Sequence, residues 1–242
     1  MRKIIQQLRI SYFRERIDSY PDIRMGMRRD KECVWIIRDG RRTETRQSDS
    51  PKGKALIRLK LERDNYVSIL TRLEGEWLRR YDSPCGSLKL RHYGQTPNRM
   101  LFENLVERTN SHKFKTPVFY NGEPYRSKLE ADFARLMDDY GILYKYEPEI
   151  LVVGNRKKCP DFMIYLPWID LLILIEICGS CNNTDYLEYM RDKNHEYLLS
   201  GWRPGSNMIL FYYDDKMPYI PEMVMEEIET VELRKYMTLI NK

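Results

Sequence analysis

Three acids in the second half of the chain stand where folding can bring carboxylates together. Glu130 lies in "RSKLEADFARLMDDYG", Asp161 follows Pro160 in "KCPDFMIYLP", and Glu176 ends the apolar run of "IDLLILIEICG". If the last two segments are neighbouring strands joined by the short "LPWI" connection, Asp161 and Glu176 meet at one edge of a sheet. Carboxylates brought that close repel unless a cation sits among them. An all-oxygen set with room left for water suits a hard divalent ion such as Mg²⁺ or Mn²⁺. Such an ion acts on a phosphodiester as a Lewis acid and as an activator of water.

The cysteines offer a competing chemistry. Cys33, Cys85, Cys159, Cys178 and Cys181 are odd in number and lack framework spacing, which suits a reducing, cytoplasmic setting without structural disulfides. Cys178-Gly-Ser-Cys181 resembles the loop of a thiol nucleophile only loosely, because no aromatic residue follows Cys181 and His195 is the sole later histidine. Zinc held by Cys159, Cys178, Cys181 and His195 is chemically allowed, but a single C-x-x-C counts against it. The simpler reading is that Cys178 and Cys181 are small residues beside a strand end, with Gly179 giving the backbone room to turn. His92 and His112 fall in irregular segments and read as ordinary surface residues.

Around the acids, the pattern predicts an α/β order from about residue 100. Ser127 with Glu130 three residues on has the form of a capping box; Leu129, Phe133, Leu136 and Met137 make an apolar stripe, and Gly141 ends the helix. "ILYKYEPEILVV", "KCPDFMIYLP" and "IDLLILIEICG" read as three strands, followed by a helix from about 185 to 200, the strand "NMILFYYDD" and two short helices near 220 to 228 and 230 to 240. Tyr212 and Tyr213 are expected in the core. On the helix after Glu176, Tyr189, Lys193 and Tyr197 recur every four residues and share a face. Tyr125, Tyr144, Tyr146 and Tyr186 join them as groups able to hydrogen-bond phosphates or stack on bases.

The first hundred residues are of a different character. They carry 24 Lys and Arg against 13 Asp and Glu, whereas the remainder carries 17 against 23. A basic front half is suited to phosphates, because each phosphate neutralised releases counterions. Arginines crowd "RMGMRRDK" and "RDGRRTETR", which read as short loops, so Arg28, Arg29, Arg38, Arg41, Arg42 and Arg46 are the candidate nucleic-acid contacts. Residues 2 to 18 read as a helix, "CVWIIRDGRRTETR" as a hairpin turning at Asp39-Gly40, "SDSPKGK" as a break, and 54 to 81 as one long helix. A linker is expected over 83 to 98, dividing a basic N-terminal region, 1 to 99, from a second domain, 100 to 242. No apolar run is long enough to span a bilayer, so no membrane partner is expected.

Taken together, Glu130 on a first helix, Pro160-Asp161, and Glu176-Ile177-Cys178 at the end of an apolar strand resemble the core of the PD-(D/E)XK nuclease superfamily. That resemblance covers roughly residues 118 to 215. It implies a restriction-endonuclease-like mixed sheet flanked by helices and a Mg²⁺- or Mn²⁺-dependent endonuclease acting on DNA. The ion would be held by Glu130, Asp161, Glu176 and the carbonyl of Ile177 or Cys178. It also implies an intracellular role, in a bacterium or on a mobile element, as a homo-oligomer or with a partner protein in a DNA-processing complex. Cys178 stands where the family has its lysine, and Lys193 is the candidate replacement, as in branches that move this lysine to a neighbouring helix. The alternative is a chain that kept the fold, lost catalysis, and binds nucleic acid or serves as a subunit of such a complex.

Overall fold

The computed structural model describes residues 2–110, 116–179, 184–214 and 217–240; His112 and Cys181 lie outside them. The chain divides into two compact units, one of Gln6–Leu90 and one of Met1–Ile5 with Arg91–Lys242.

Between α1 (Arg2–Ser19) and the long α2 (Pro51–Tyr81), the first unit holds three antiparallel strands in sequence order: β1 (Asp22–Arg28), β2 (Lys31–Arg38) and β3 (Arg41–Gln47). The hairpin turns at Asp39-Gly40 as expected, both residues at positive φ (50° and 71°), the backbone that matches strand twist. A further strand, β1, stands where arginine-rich loops were expected. Its turn to β2 is made by Arg29 and Asp30 at φ 50° and 61°, so no glycine marks it, and Ile23 is its single buried side chain. The expected break at "SDSPKGK" is largely the first turn of α2: the Ser50 hydroxyl accepts from the Gly53 amide, and Pro51 opens the helix. Gly53 is required there, because a Cβ would lie 1.9 Å from the Gln47 carbonyl oxygen. Ile23, Val34 and Ile36 pack with Leu56 and Ile57 of α2.

The second unit is α/β, built on a mixed sheet. After α3 (Pro97–Asn104), which occupies the end of the expected linker, come the hairpin β4 (Val118–Tyr120) and β5 (Glu123–Tyr125) and then α4 (Lys128–Tyr140). Ser127 caps α4 and Gly141 ends it at φ 63°, as read from the sequence. "ILYKYEPEILVV" is two strands rather than one, β6 (Leu143–Tyr146) and β7 (Ile150–Val152), because Glu147 turns the chain at φ 43°; β7 pairs with β8 (Arg156–Lys158). The central strands are β9 (Phe162–Leu166) and β10 (Leu171–Cys178), followed by α5 (Thr184–Leu199), β11 (Met208–Tyr212) and α6 (Pro221–Ile240).

The sheet runs β11-β10-β9-β6, with β10 and β11 parallel and the other pairs antiparallel. All eight residues of β10 are buried, which is why it reads as a continuous apolar run. The parallel neighbour requires a crossover, and α5 supplies it. Instead of two short helices the chain ends in one, α6, because Val224, Met225, Ile228 and Val231 keep helical spacing across the supposed break. Tyr212, expected in the core, is exposed, and Phe211 takes the buried position. Among the described residues no helix is long and apolar enough to cross a membrane.

Candidate functional site

Register places the first two acids. Phe162 of β9 lies opposite Ile175 of β10, so Asp161, one residue before β9, comes alongside Glu176. The Ile177 amide donates to Asp161 Oδ2 at 2.6 Å, and the Glu147 amide donates to the Asp161 carbonyl at 2.9 Å. Glu130 arrives from the first turn of α4, where the Ser127 hydroxyl accepts its amide proton at 3.2 Å. Its Oε2 accepts from the Tyr146 hydroxyl at 2.5 Å and from the Arg126 amide at 3.0 Å.

Lys193 and Tyr197, one turn apart on α5, both reach Glu176. Lys193 Nζ lies 2.7 Å from Oε1 and 2.9 Å from Oε2, and the Tyr197 hydroxyl donates to Oε1 at 2.8 Å. Tyr189, the third member of that face, is exposed. Glu130, Asp161, Glu176, Ile177 and Lys193 all line one pocket of about 610 Å³.

The charges in this pocket are out of balance. Burial, reinforced by repulsion from Asp161, pushes Glu176 up to about 8, although Lys193 and Tyr197 pull it back. Glu130 is pushed up to about 7, again by burial first and Asp161 second. Asp161 is itself raised, chiefly by burial, with Lys193 and the Ile177 amide opposing. Burial lowers the Lys193 ammonium, but attraction to Glu176 and Asp161 outweighs it and holds the proton more firmly than usual. Glu176 and Asp161 therefore share the Lys193 ammonium, and Glu130 stands outside its reach.

Sequence reasoning did not single out Arg126 and Glu147, which also line the pocket. The Arg126 guanidinium is paired with the buried Glu147 carboxylate, which Asn110 also approaches with Nδ2 at 2.8 Å. The sequence signal, weak in isolation, is the "EPE" at 147 to 149 that interrupts a strand-like run. Tyr146 and Tyr197, read as groups for phosphates or bases, are turned to the protein's own carboxylates.

Hard oxygen donors fit Mg²⁺ or Mn²⁺ better than zinc. Asp161 Oδ1 and Glu130 Oε1 have no hydrogen-bond partner among the described residues. As the side chains stand, no three His, Cys, Asp or Glu among those residues form a group able to hold a metal, and Glu176 is turned to Lys193 and Tyr197. The Cys178 carbonyl accepts the Tyr213 amide at 2.9 Å, and Ile177 offers its amide to Asp161. Of the zinc set, Cys159 lines the acidic pocket, whereas His195 lines a different hollow on α5. The described cysteines Cys33, Cys85, Cys159 and Cys178 form no disulfide.

The candidate arginines belong to the other unit. Arg28, Arg38, Arg41, Arg42 and Arg46 lie on β1 to β3 and Arg29 in the β1–β2 turn, with Arg46 tied to Glu44 at 2.9 Å. In comparisons with known proteins, no family model, curated protein or solved structure matches the chain.

Proposed function

We propose that the protein is a metal-dependent DNA endonuclease of the PD-(D/E)XK type, with a restriction-endonuclease-like second unit. The observation that carries this reading is the meeting of Glu130, Asp161, Glu176 and Lys193 in one pocket, at adjacent ends of β9 and β10. The order helix, three strands of one sheet (β6, β9 and β10), crossover helix, parallel strand supports it. Glu130, Asp161 and Glu176 would hold Mg²⁺ or Mn²⁺, which supplies Lewis acidity toward the scissile phosphate and lowers the pKa of water. Lys193 keeps its proton and brings positive charge to a pocket where a phosphate gains negative charge in the transition state. Tyr197 and the Ile177 amide fix the orientations of Glu176 and Asp161, and Tyr146 that of Glu130.

Purified protein should cleave DNA with Mg²⁺ or Mn²⁺ and stop in EDTA. Asp161→Ala should abolish cleavage while its thermal transition stays at or above that of the wild type, because the two remaining acids lose a repelling neighbour. Cleavage by that variant at the wild-type rate would mean that the site is wrong.

One observation favours a second reading. The closed contact of Glu176 with Lys193 and Tyr197 satisfies that carboxylate without any ion. On that reading the chain is a non-catalytic nucleic-acid-binding module or a subunit of a larger DNA-processing complex. It should bind DNA but leave it intact under every metal condition.

A further inference from the structure

The three-stranded sheet of the first unit has two unlike faces. Cross-strand neighbours share a face, so Ile23, Ile36 and Glu44, and Met25, Val34 and Arg46, belong to the side that packs on α2. The opposite side carries Asp22, Ile37 and Arg42 in one row, Arg24, Trp35 and Thr45 in the next, and Arg28 with Lys31 at one end. Arg24 is offset by Asp22 at 3.2 Å. Arg28, Lys31 and Arg42 are exposed and have no carboxylate partner among the described residues. Arg46, a candidate from the sequence, is on the wrong face for this role.

Trp35 lies across this face. A Cβ at Gly26 would sit 2.9 Å from the Trp35 ring, so the glycine is what lets the indole lie over β1. The Arg42 guanidinium lies over the same ring, 3.9 Å from its centroid. The stack holds a cationic fork in place before any ligand arrives, and the ordering cost falls accordingly.

We infer that this outer face is a docking surface for duplex DNA that enters the major groove, with Arg28, Lys31 and Arg42 on the flanking phosphates. It rests on the reading of DNA as the substrate and names the form and the face. Two interstrand spacings of about 4.8 Å put the axes of β1 and β3 about 10 Å apart, and within the sheet β1 and β2 form the two-stranded ribbon that carries Arg28 and Lys31. A B-form major groove of about 12 Å admits a two-stranded ribbon, and a minor groove of about 6 Å is too narrow for one without deformation. The deep, narrow major groove of A-form RNA excludes it as well. A single strand would need an open aromatic face for its bases, and Arg42 already occupies one face of Trp35.

The test is binding of the full-length protein to a labelled 25-base-pair duplex in EDTA, followed by fluorescence anisotropy across salt concentrations. Each phosphate contact removed should reduce the slope of log affinity against log salt by about 0.9. Arg28→Ala/Lys31→Ala/Arg42→Ala should therefore lose nearly three units of slope and about a hundredfold or more in affinity near 0.1 M salt. A control with the same charge change on α2, Lys52→Ala/Arg79→Ala/Arg80→Ala, should lose far less. Wild-type affinity in the sheet variant, with its thermal transition intact, overturns the inference, and so does an equal loss in the control. Equal or tighter binding of single-stranded DNA or duplex RNA overturns the assignment to the B-form groove. Because no metal is present, failure here is distinct from failure of the nuclease reading: binding without cleavage under Mg²⁺ leaves this surface standing, and cleavage by the sheet variant at high DNA concentration leaves the nuclease standing.

Discussion

On the proposed nuclease reading, the chemistry turns on Lys193. A unit charge about 4 Å from another in a medium of effective dielectric near 20 is worth about 4 kcal/mol, roughly a thousandfold in rate. Lys193→Met, which keeps the volume, should slow cleavage by about that factor. It should also tighten Mn²⁺ binding in calorimetry, because the ammonium competes with the ion for Glu176. Cys178 points to the same side of β10 as Glu176, two residues away. Cys178→Lys in the Lys193→Met background should then recover part of the rate, and Cys178→Ser alone should be mild. If Lys193→Met cleaves like the wild type, the ammonium is not the catalytic charge. Protonation offers an independent check. Glu130 at about 7 and Glu176 at about 8 sit above the ordinary carboxylate value, so the folded, metal-free protein binds protons that the unfolded chain has released. The stability they contribute is complete below the unfolded value and is lost as pH rises through the folded values. In EDTA the melting temperature should fall from about pH 4.5, the ordinary glutamate value, to about pH 8, and Glu130→Gln should make that fall shallower up to about pH 7. A melting temperature that rises over this interval would contradict the assignment.

At the scale of elements, the site stands on a cap, a strand end and a crossover helix. Ser127→Ala removes the acceptor of the Glu130 amide and should cost about 1 kcal/mol of stability in denaturant titration. It should also weaken metal affinity, because the same turn aims the Glu130 carboxylate; a stability loss with unchanged affinity would separate cap from site. The sequence made these elements legible where local rules act alone. Ser127, Gly141 and the apolar run of β10 each announce a boundary or a buried strand, and the spacing of Tyr189, Lys193 and Tyr197 gives a face. It could not say what that face touches, since the approach of α5 to Glu176 is set by the parallel docking of β11. β1 was illegible for a different reason: its turn uses Arg29 and Asp30 in left-handed conformations without glycine, and one buried side chain leaves no alternation to read. The Arg126–Glu147 pair escaped because Glu147 belongs to no periodic element.

At the scale of the whole molecule, charge is divided between a basic unit and an acidic pocket. Cations that bind phosphates are screened within about 10 Å at 0.1 M salt, whereas a buried carboxylate–ammonium pair is screened much less. Raising salt should therefore increase KM steeply and leave kcat nearly unchanged. A parallel fall in kcat would place the salt-sensitive contacts at the reacting phosphate instead. The position of β10 adds a consequence measurable in time. β9 pairs with the first five residues of β10, β11 with the last five, and every residue of β10 is buried, so each stretch of it is shielded by a neighbouring strand and on both faces. In deuterated buffer its amides should be the last of the second unit to exchange, at a rate set by complete unfolding of that unit. The Ile177 amide, held by Asp161 at the rim of this strand, is a timer: an ion that draws Asp161 away should speed its exchange while the rest of β10 slows.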